Sequence, residues 1–258
     1  MAVTSVSRRL RVLGVPVDAV DMQGTLNWVE ERVASRQSGT HLCVNAANVV
    51  RAHDDPDYLA VLERGDLIGS DGQPFVWAAR VLGQPLPERV AGIDLMEQVL
   101  DRSRETGWRV YLLGGRDEVV RRLAGQLSAR GVRIAGHRDG YFGPDDADRV
   151  WDEVRSADPD VVFVGMPTPT KERFIVEGAH QAQVPVCIGV GGSFDVLAGD
   201  LRRAPAYMQR LGLEWLFRLL QEPRRLFTRY AVTNTRFLAL VLRAMVSRNR
   251  TTRADVSG

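Results

Sequence analysis

The chain has 258 residues, 45% hydrophobic and 26% charged, with a formal net charge of +2 and two cysteines. That length holds one large α/β domain with an appendage, and a core that needs no disulfide or metal staple. The composition excludes low-complexity, collagen-like and disulfide-framed chains.

In chain order, strand-length apolar runs fall at 11–15, 42–44, 67–69, 110–113, 132–135, 161–164 and 186–190, most of them bounded by Gly, Pro or Asp. Helical patterns lie between them at 25–35, 58–63, 95–105, 118–129, 147–154 and 171–181, with Asp145 and Thr170 as expected N-caps. Such alternation predicts an α/β fold, a mostly parallel Rossmann-like sheet with helices on both faces, over residues 1–201. A C-terminal helical appendage is expected over 202–248 and a disordered tail at 249–258. Within the appendage, 206–220 and 224–246 read as helices divided by Pro223. Cys43 and Cys187 sit in apolar runs outside any Cys-x-x-Cys pair, which predicts buried, reduced thiols in the cytoplasm. No apolar stretch follows Arg8, Arg9 and Arg11 as a signal peptide would require.

The small net charge hides an asymmetry. From Arg202 onward twelve arginines face three acidic residues, leaving 22 basic and 29 acidic residues upstream. A basic tail on an acidic body implies an anionic partner. Arg229, Arg236, Arg243 and Arg250 recur every seven residues, which predicts one cationic stripe along the last helix. Leu226, Phe227, Tyr230, Phe237, Leu238, Val241, Leu242 and Met245 cover much of the rest. That layout suits a helix lying in an anionic membrane interface, although its apolar side packing on the body is compatible with the same pattern. A transmembrane span is excluded, because the apolar stretch is short and holds Arg243.

Ligands of a parallel sheet bind beyond the carboxyl ends of its strands. Small and polar residues crowd those ends here: Asn45 and Asn48, Asp71 and Gly72, Gly114 and Gly115, Tyr141, Gly165, then Gly191, Gly192 and Asp195. A backbone N–H without a neighbouring Cβ can approach a phosphate closely. Taken singly, Asp71-Gly72 and Gly114-Gly115 are also ordinary turn dipeptides; their convergence on one rim makes it the candidate site. Metal chemistry is not expected, since the four histidines form no ligand-spaced pair. The acidic runs 54–57 and 145–148 fall where helices begin, and capping explains them. No cofactor is expected.

These rim residues resemble a known family. Ser-Asp-Gly-Gln-Pro at 70–74, Arg-Val-Ala-Gly-Ile-Asp-Leu at 89–95, Gly-Tyr-Phe at 140–142 and Arg-Ala-Pro at 203–205 are similar to the WecG/TagA/CpsF glycosyltransferases, family 26. So are 45–48, 112–115, 189–195 and the long motif Leu-Glu-Trp-Leu-Phe-Arg-Leu-Leu-Gln-Glu-Pro-Arg-Arg at 213–225, all in the family's order. The resemblance implies inverting transfer of a sugar (N-acetylmannosamine-like, glucose or uronic acid) from a UDP-sugar to a polyprenyl-diphosphate-linked acceptor. It implies a peripheral enzyme on the inner face of the plasma membrane, building teichoic acid or another surface polysaccharide. By the same resemblance Asp71 is the catalytic base, with Asn45 beside it and Arg89 shaping the site. Tyr141 and Asp195 are expected near the nucleotide, and Arg218, Arg225 and Arg229 over the diphosphate. Two residues depart from the family pattern: Cys43, where threonine is usual, and Lys171, where glutamine is usual. Lys171 is the chain's single lysine and puts a charge beside the sugar site.

Two other functions fit parts of the sequence. A non-catalytic nucleotide- or nucleic-acid-binding protein would account for the basic tail, but no nucleic-acid-binding motif accompanies it. An NAD-type oxidoreductase should carry its glycine fingerprint after the first strand, where Gly14 leads instead into Val15-Pro16-Val17. Self-association into a homo-oligomer stays open beside a monomer docked on membrane.

Overall fold

The computed structural model describes residues 8–255, except for the side chains of 225, 229 and 248–255. Six parallel strands form the central sheet: β3 (Thr40–Val44), β4 (Leu67–Ser70), β5 (Arg109–Gly114), β6 (Arg133–Arg138), β7 (Val161–Gly165) and β8 (Val186–Gly189), in the order β4-β3-β8-β7-β5-β6. The expected parallel α/β sheet is therefore present. The first apolar run is not one of its strands. It contributes to a hairpin of β1 (Arg9–Val12) and β2 (Val15–Asp18), which turns at Leu13 and Gly14, both with positive φ. Asp18 ties that hairpin down: its carboxylate accepts from Arg9 and from the Ile68 amide of β4.

Helices cover both faces, as expected. One apolar layer includes Leu42, Val44, Ile68, Val162 and Val164; the other includes Val110, Leu112, Val161, Phe163 and Ile188. Strand residues alternate between the two layers because successive side chains point to opposite faces. Sequence patterning finds α1 (Met22–Ser35), α3 (Pro56–Glu63), α5 (Gly92–Thr106), α6 (Asp117–Ala129), α7 (Ala147–Ser156) and α8 (Thr170–Gly178), but misses α2 (Ala46–Asp54) and α4 (Gln73–Val81). α2 depends on a capping box between Asn45 and Asn48, and α4 carries Pro74 in its first turn, which reads as a turn signal. Two expected caps are corrected. Thr170 is already the first helical residue of α8, and Asp145 lies in a short 3-10 turn, 144–146, ahead of α7.

After β8 come α9 (Ser193–Leu197), α10 (Ala206–Arg210), α11 (Glu214–Gln221) and α12 (Pro223–Asp255). The single helix expected over 206–220 is broken, because Gly212 takes φ +66° between α10 and α11. Pro223 opens α12, where its missing N–H costs nothing. Helix also continues through 249–255, where the sequence pattern predicts disorder; residues 256–258 of that expected tail lie outside the described residues. Leu226, Phe237 and Val241 of α12 are buried against the body, chiefly on α2. Phe227, Leu238, Leu242 and Val246 stay exposed. Among the described residues no helix is long and apolar enough to cross a membrane. The expected cationic stripe is modified. Arg243 is exposed, Arg236 is paired with Asp54, and the Arg229 and Arg250 side chains lie outside the described residues.

Candidate active site

The carboxyl ends of β4, β3, β8 and β7 bring most of the expected residues together. Asp71 follows β4 directly, and its amide donates to the Val44 carbonyl of β3. Ser70 anchors the next loop: its hydroxyl donates to the Glu88 carbonyl, and its own carbonyl accepts from the Val90 amide. That pairing presents Arg89 to the same rim. Gly72 sits beside Asn45, so close that a Cβ on it would lie 3.4 Å from the Asn45 Cβ.

The Asp71 carboxylate is half-buried and has no side-chain hydrogen bond or ion pair among the described residues. Charged groups nevertheless surround it. Burial first, then the negative charge of Glu214, raise its pKa above the ordinary carboxylate value, while Arg89, Arg218 and Lys171 pull the other way. A free carboxyl group with raised basicity beside cations is a suitable proton acceptor.

Asn45 stands beside Gly72 and also caps a helix. Its side-chain oxygen accepts from the Ala47 and Asn48 amides and caps α2, while Asn48 returns a bond to the Asn45 amide. Asn48 also donates to the Tyr58 hydroxyl at 2.6 Å, so the polar end of α2 is fastened to α3.

Lys171 is buried, and its ammonium lies 3.1 Å from Glu172, whose own side chain is fully buried and also accepts from Thr168. Burial acts to strip the proton, but Glu172 and, further off, Cys43 and Asp71 outweigh it and raise the pKa above the ordinary lysine value. The side chain runs past Gly189 and ends 3.9 Å from where a Cβ on Gly191 would be. Arg218 of α11 reaches the adjacent residue, its Nη1 lying 3.9 Å from a Cβ placed on Gly192. Lys171, Arg218, Gly191 and Gly192 thus lie together at the end of β8. Cys43 is buried, and burial pushes its thiol pKa up, so it stays protonated and inert.

Gly114, Gly115 and Gly165 form a second group, at the ends of β5 and β7, over the ring of Phe194. A Cβ on Gly114 would lie 2.4 Å from the Gly165 carbonyl oxygen, and one on Gly165 would lie 2.8 Å from the Phe194 ring. Packing by itself requires glycine at both. Tyr141 projects outward with 77% of its surface exposed, and its amide donates to Asp139. Asp195 sits half-buried on α9 beside Phe194. Of the arginines expected over the diphosphate, Arg218 lies beside Gly192; the Arg225 and Arg229 side chains lie outside the described residues.

Sequence reasoning missed the acidic side of the site. Arg89 donates to Glu214 Oε2 at 3.0 Å and to Asp94 Oδ2 at 3.4 Å, and Arg203 binds the other oxygen of Asp94. All four residues lie inside the motifs that carry the family resemblance, but nothing local pairs them. The acidic runs behave as caps and surface pairs: Asp55 accepts from the Tyr58 amide and Asp146 pairs with Arg149. Among the described residues, no three His, Cys, Asp or Glu side chains gather as a metal-ligand set.

Comparison with known proteins agrees with this geometry. The model of the glycosyl transferase WecG/TagA/CpsF family matches residues 10–251. A Bacillus spizizenii N-acetylglucosaminyldiphosphoundecaprenol N-acetyl-beta-D-mannosaminyltransferase is 38% identical over 67% of this chain and 68% of its own length. A Bacillus subtilis protein of the same name is 32% identical over 82% of this chain and 83% of its own.

Proposed function

We propose, given that the chain belongs to the WecG/TagA/CpsF family of glycosyl transferases, that it moves a sugar from a UDP-sugar onto a polyprenyl-diphosphate-linked saccharide with inversion at the anomeric carbon. The observation that carries this reading is Asp71: a carboxylate of raised basicity with no ion pair among the described residues, set on a strand end among three cations. The acceptor hydroxyl attacks the anomeric carbon while the bond from that carbon to the diphosphate oxygen breaks. Asp71 takes the hydroxyl proton, and the electron pair leaves with UDP. The growing charge on the diphosphate falls to Arg218 and to the backbone amides of the 191–192 loop, which approach without side chains. This assignment needs no metal ion. Arg89 and Lys171, whose charges reach Asp71, are assigned to orienting the sugar and acceptor hydroxyls.

The acceptor's diphosphate and polyprenyl chain reside at the membrane, and the reading places the protein peripherally on its cytoplasmic face. The exposed strip Phe227, Leu238, Leu242 and Val246 on α12, next to Arg243, supports that placement by presenting apolar side chains beside a cation.

The test is acceptor-dependent UDP release from a panel of UDP-sugars, using an analogue of a polyprenyl-diphosphate-linked N-acetylglucosamine. Wild type should turn over one donor, and Asp71→Asn should lose about 100- to 10,000-fold while melting as wild type does. Undiminished release by Asp71→Asn would remove Asp71 as the base. No release from any donor, with UDP still bound, would leave a nucleotide-binding protein.

A further inference from the structure

We propose that Glu214 is a positioning residue that holds Arg89 away from Asp71, so that the base is left without an ion-pair partner when α11 is docked. The inference rests on the assignment of Asp71 above and adds a residue to it. Asp71 is faced by Arg89 from the loop before α5, by Glu214 and Arg218 from α11, by Lys171 from α8 and by Cys43 from β3. A partly buried carboxylate among so many cations would ordinarily be captured in a salt bridge. That would occupy the lone pairs needed for the acceptor proton and lower its basicity.

Two of the three cations are held elsewhere. The Arg89 guanidinium donates to Glu214 at 3.0 Å and to Asp94 at 3.4 Å, and Arg203 grips Asp94 from the other side. Lys171 is held by Glu172 at 3.1 Å. Arg218 has no ion pair among the described residues and lies toward Gly192, where the reading puts the diphosphate. Of these restraints only Glu214 comes from the C-terminal helices. It also contributes negative potential at Asp71, which raises the proton affinity of the carboxylate. Docking of α11 therefore does two opposite electrostatic jobs from one helix. Arg218 serves the leaving group, while Glu214, four residues earlier and one turn away, serves the base.

The deciding experiment compares wild type with Glu214→Gln, which keeps the shape of the side chain and removes its charge. The pH dependence of kcat/KM for acceptor-dependent UDP release is measured beside the carboxyl 13C titration of Asp71 in the free protein. Both should show the Asp71 titration moving down by about 1 unit in Glu214→Gln, the size expected for changing one nearby charge. The kcat at neutral pH should fall about 10-fold, because the base is weaker and Arg89, left with Asp94 alone, is held less firmly away from it. Glu214→Asp should recover part of both. On an Arg89→Gln background, Glu214→Gln should add a clearly smaller further loss, since the residue it restrains is gone and only its direct charge on Asp71 is removed.

An unshifted Asp71 titration, or an equal loss on both backgrounds, overturns the proposal and leaves Glu214 as an anchor of α11. The NMR titration does not require turnover. A shifted Asp71 in a protein that releases no UDP would therefore sink the transferase reading while leaving the hold of Glu214 on Asp71 intact.

Discussion

Arg236, in the middle of α12, grips Asp54 at the end of α2 with both terminal nitrogens of its guanidinium. The pair is exposed at 48% on each side, and it stands next to the buried Phe237. Exposed ion pairs contribute little to stability, whereas a buried aromatic ring contributes a great deal. The helix is held to the body by Leu226, Phe237 and Val241, and the Arg236–Asp54 pair selects its rotational setting.

Phe237→Ala should therefore destabilise the docked helix by about 3–5 kcal/mol, and Arg236→Ala far less. Limited proteolysis and thermal melts would check this. Early cleavage within α12 is expected in Phe237→Ala only, and equal protection of both variants would show that packing on α2 is not what holds the helix.

The exposed apolar strip gives a prediction about membranes. Leu238→Glu with Leu242→Glu should reduce sedimentation with anionic vesicles at least several-fold, with little change in melting temperature because both positions are already in water. Turnover of a short-chain, water-soluble acceptor should be unaffected. Unchanged vesicle binding would move the membrane contact to another face.

Gly114 has φ +128°, and any Cβ there would press on the Gly165 carbonyl. Gly114→Ala should cost about 2–4 kcal/mol, from strain and overpacking together. Chemical denaturation would measure it. A near-neutral result would mean that the ends of β5 and β7 can part without disturbing Phe194.

His41 is fully buried in β3, with both ring nitrogens lacking a hydrogen-bond partner among the described residues. Burial, and secondarily the charge of Lys171, lower its pKa from 6.5 to about 4. Between those values the unfolded chain binds the proton and the native protein does not. Its contribution is thus complete above pH 6.5 and is lost as the pH falls through 4, about 3 kcal/mol in all. His41→Leu should flatten that part of the stability profile; an unchanged slope would assign it to other groups.

Cys43 offers a simple check on the environment of β3. With its thiol buried and held protonated, alkylation by iodoacetamide at pH 8 should require unfolding. Rapid labelling of native protein would mean that the floor of the site opens.

The role proposed for Asp71 came from the family resemblance, but the parallel α/β sheet and the rim at its carboxyl ends were legible in the sequence itself. Both depend on local signals: apolar runs of strand length, glycines that bound them, and helical periods between them. α2 and α4 were not legible, because one depends on reciprocal capping by Asn45 and Asn48 and the other holds Pro74 in its first turn, which resembles a turn signal. Nor was the packing role of Gly114 and Gly165, since only the structure sets Gly114 against the Gly165 backbone and Gly165 against Phe194. The pairing of Arg89 with Glu214 spans 125 residues, and that of Arg203 with Asp94 spans 109. No periodicity encodes such contacts. They depend on strand order and on how α11 docks, so the sequence by itself determined the parallel sheet and the rim at its carboxyl ends, and tertiary packing decided which charges meet around Asp71.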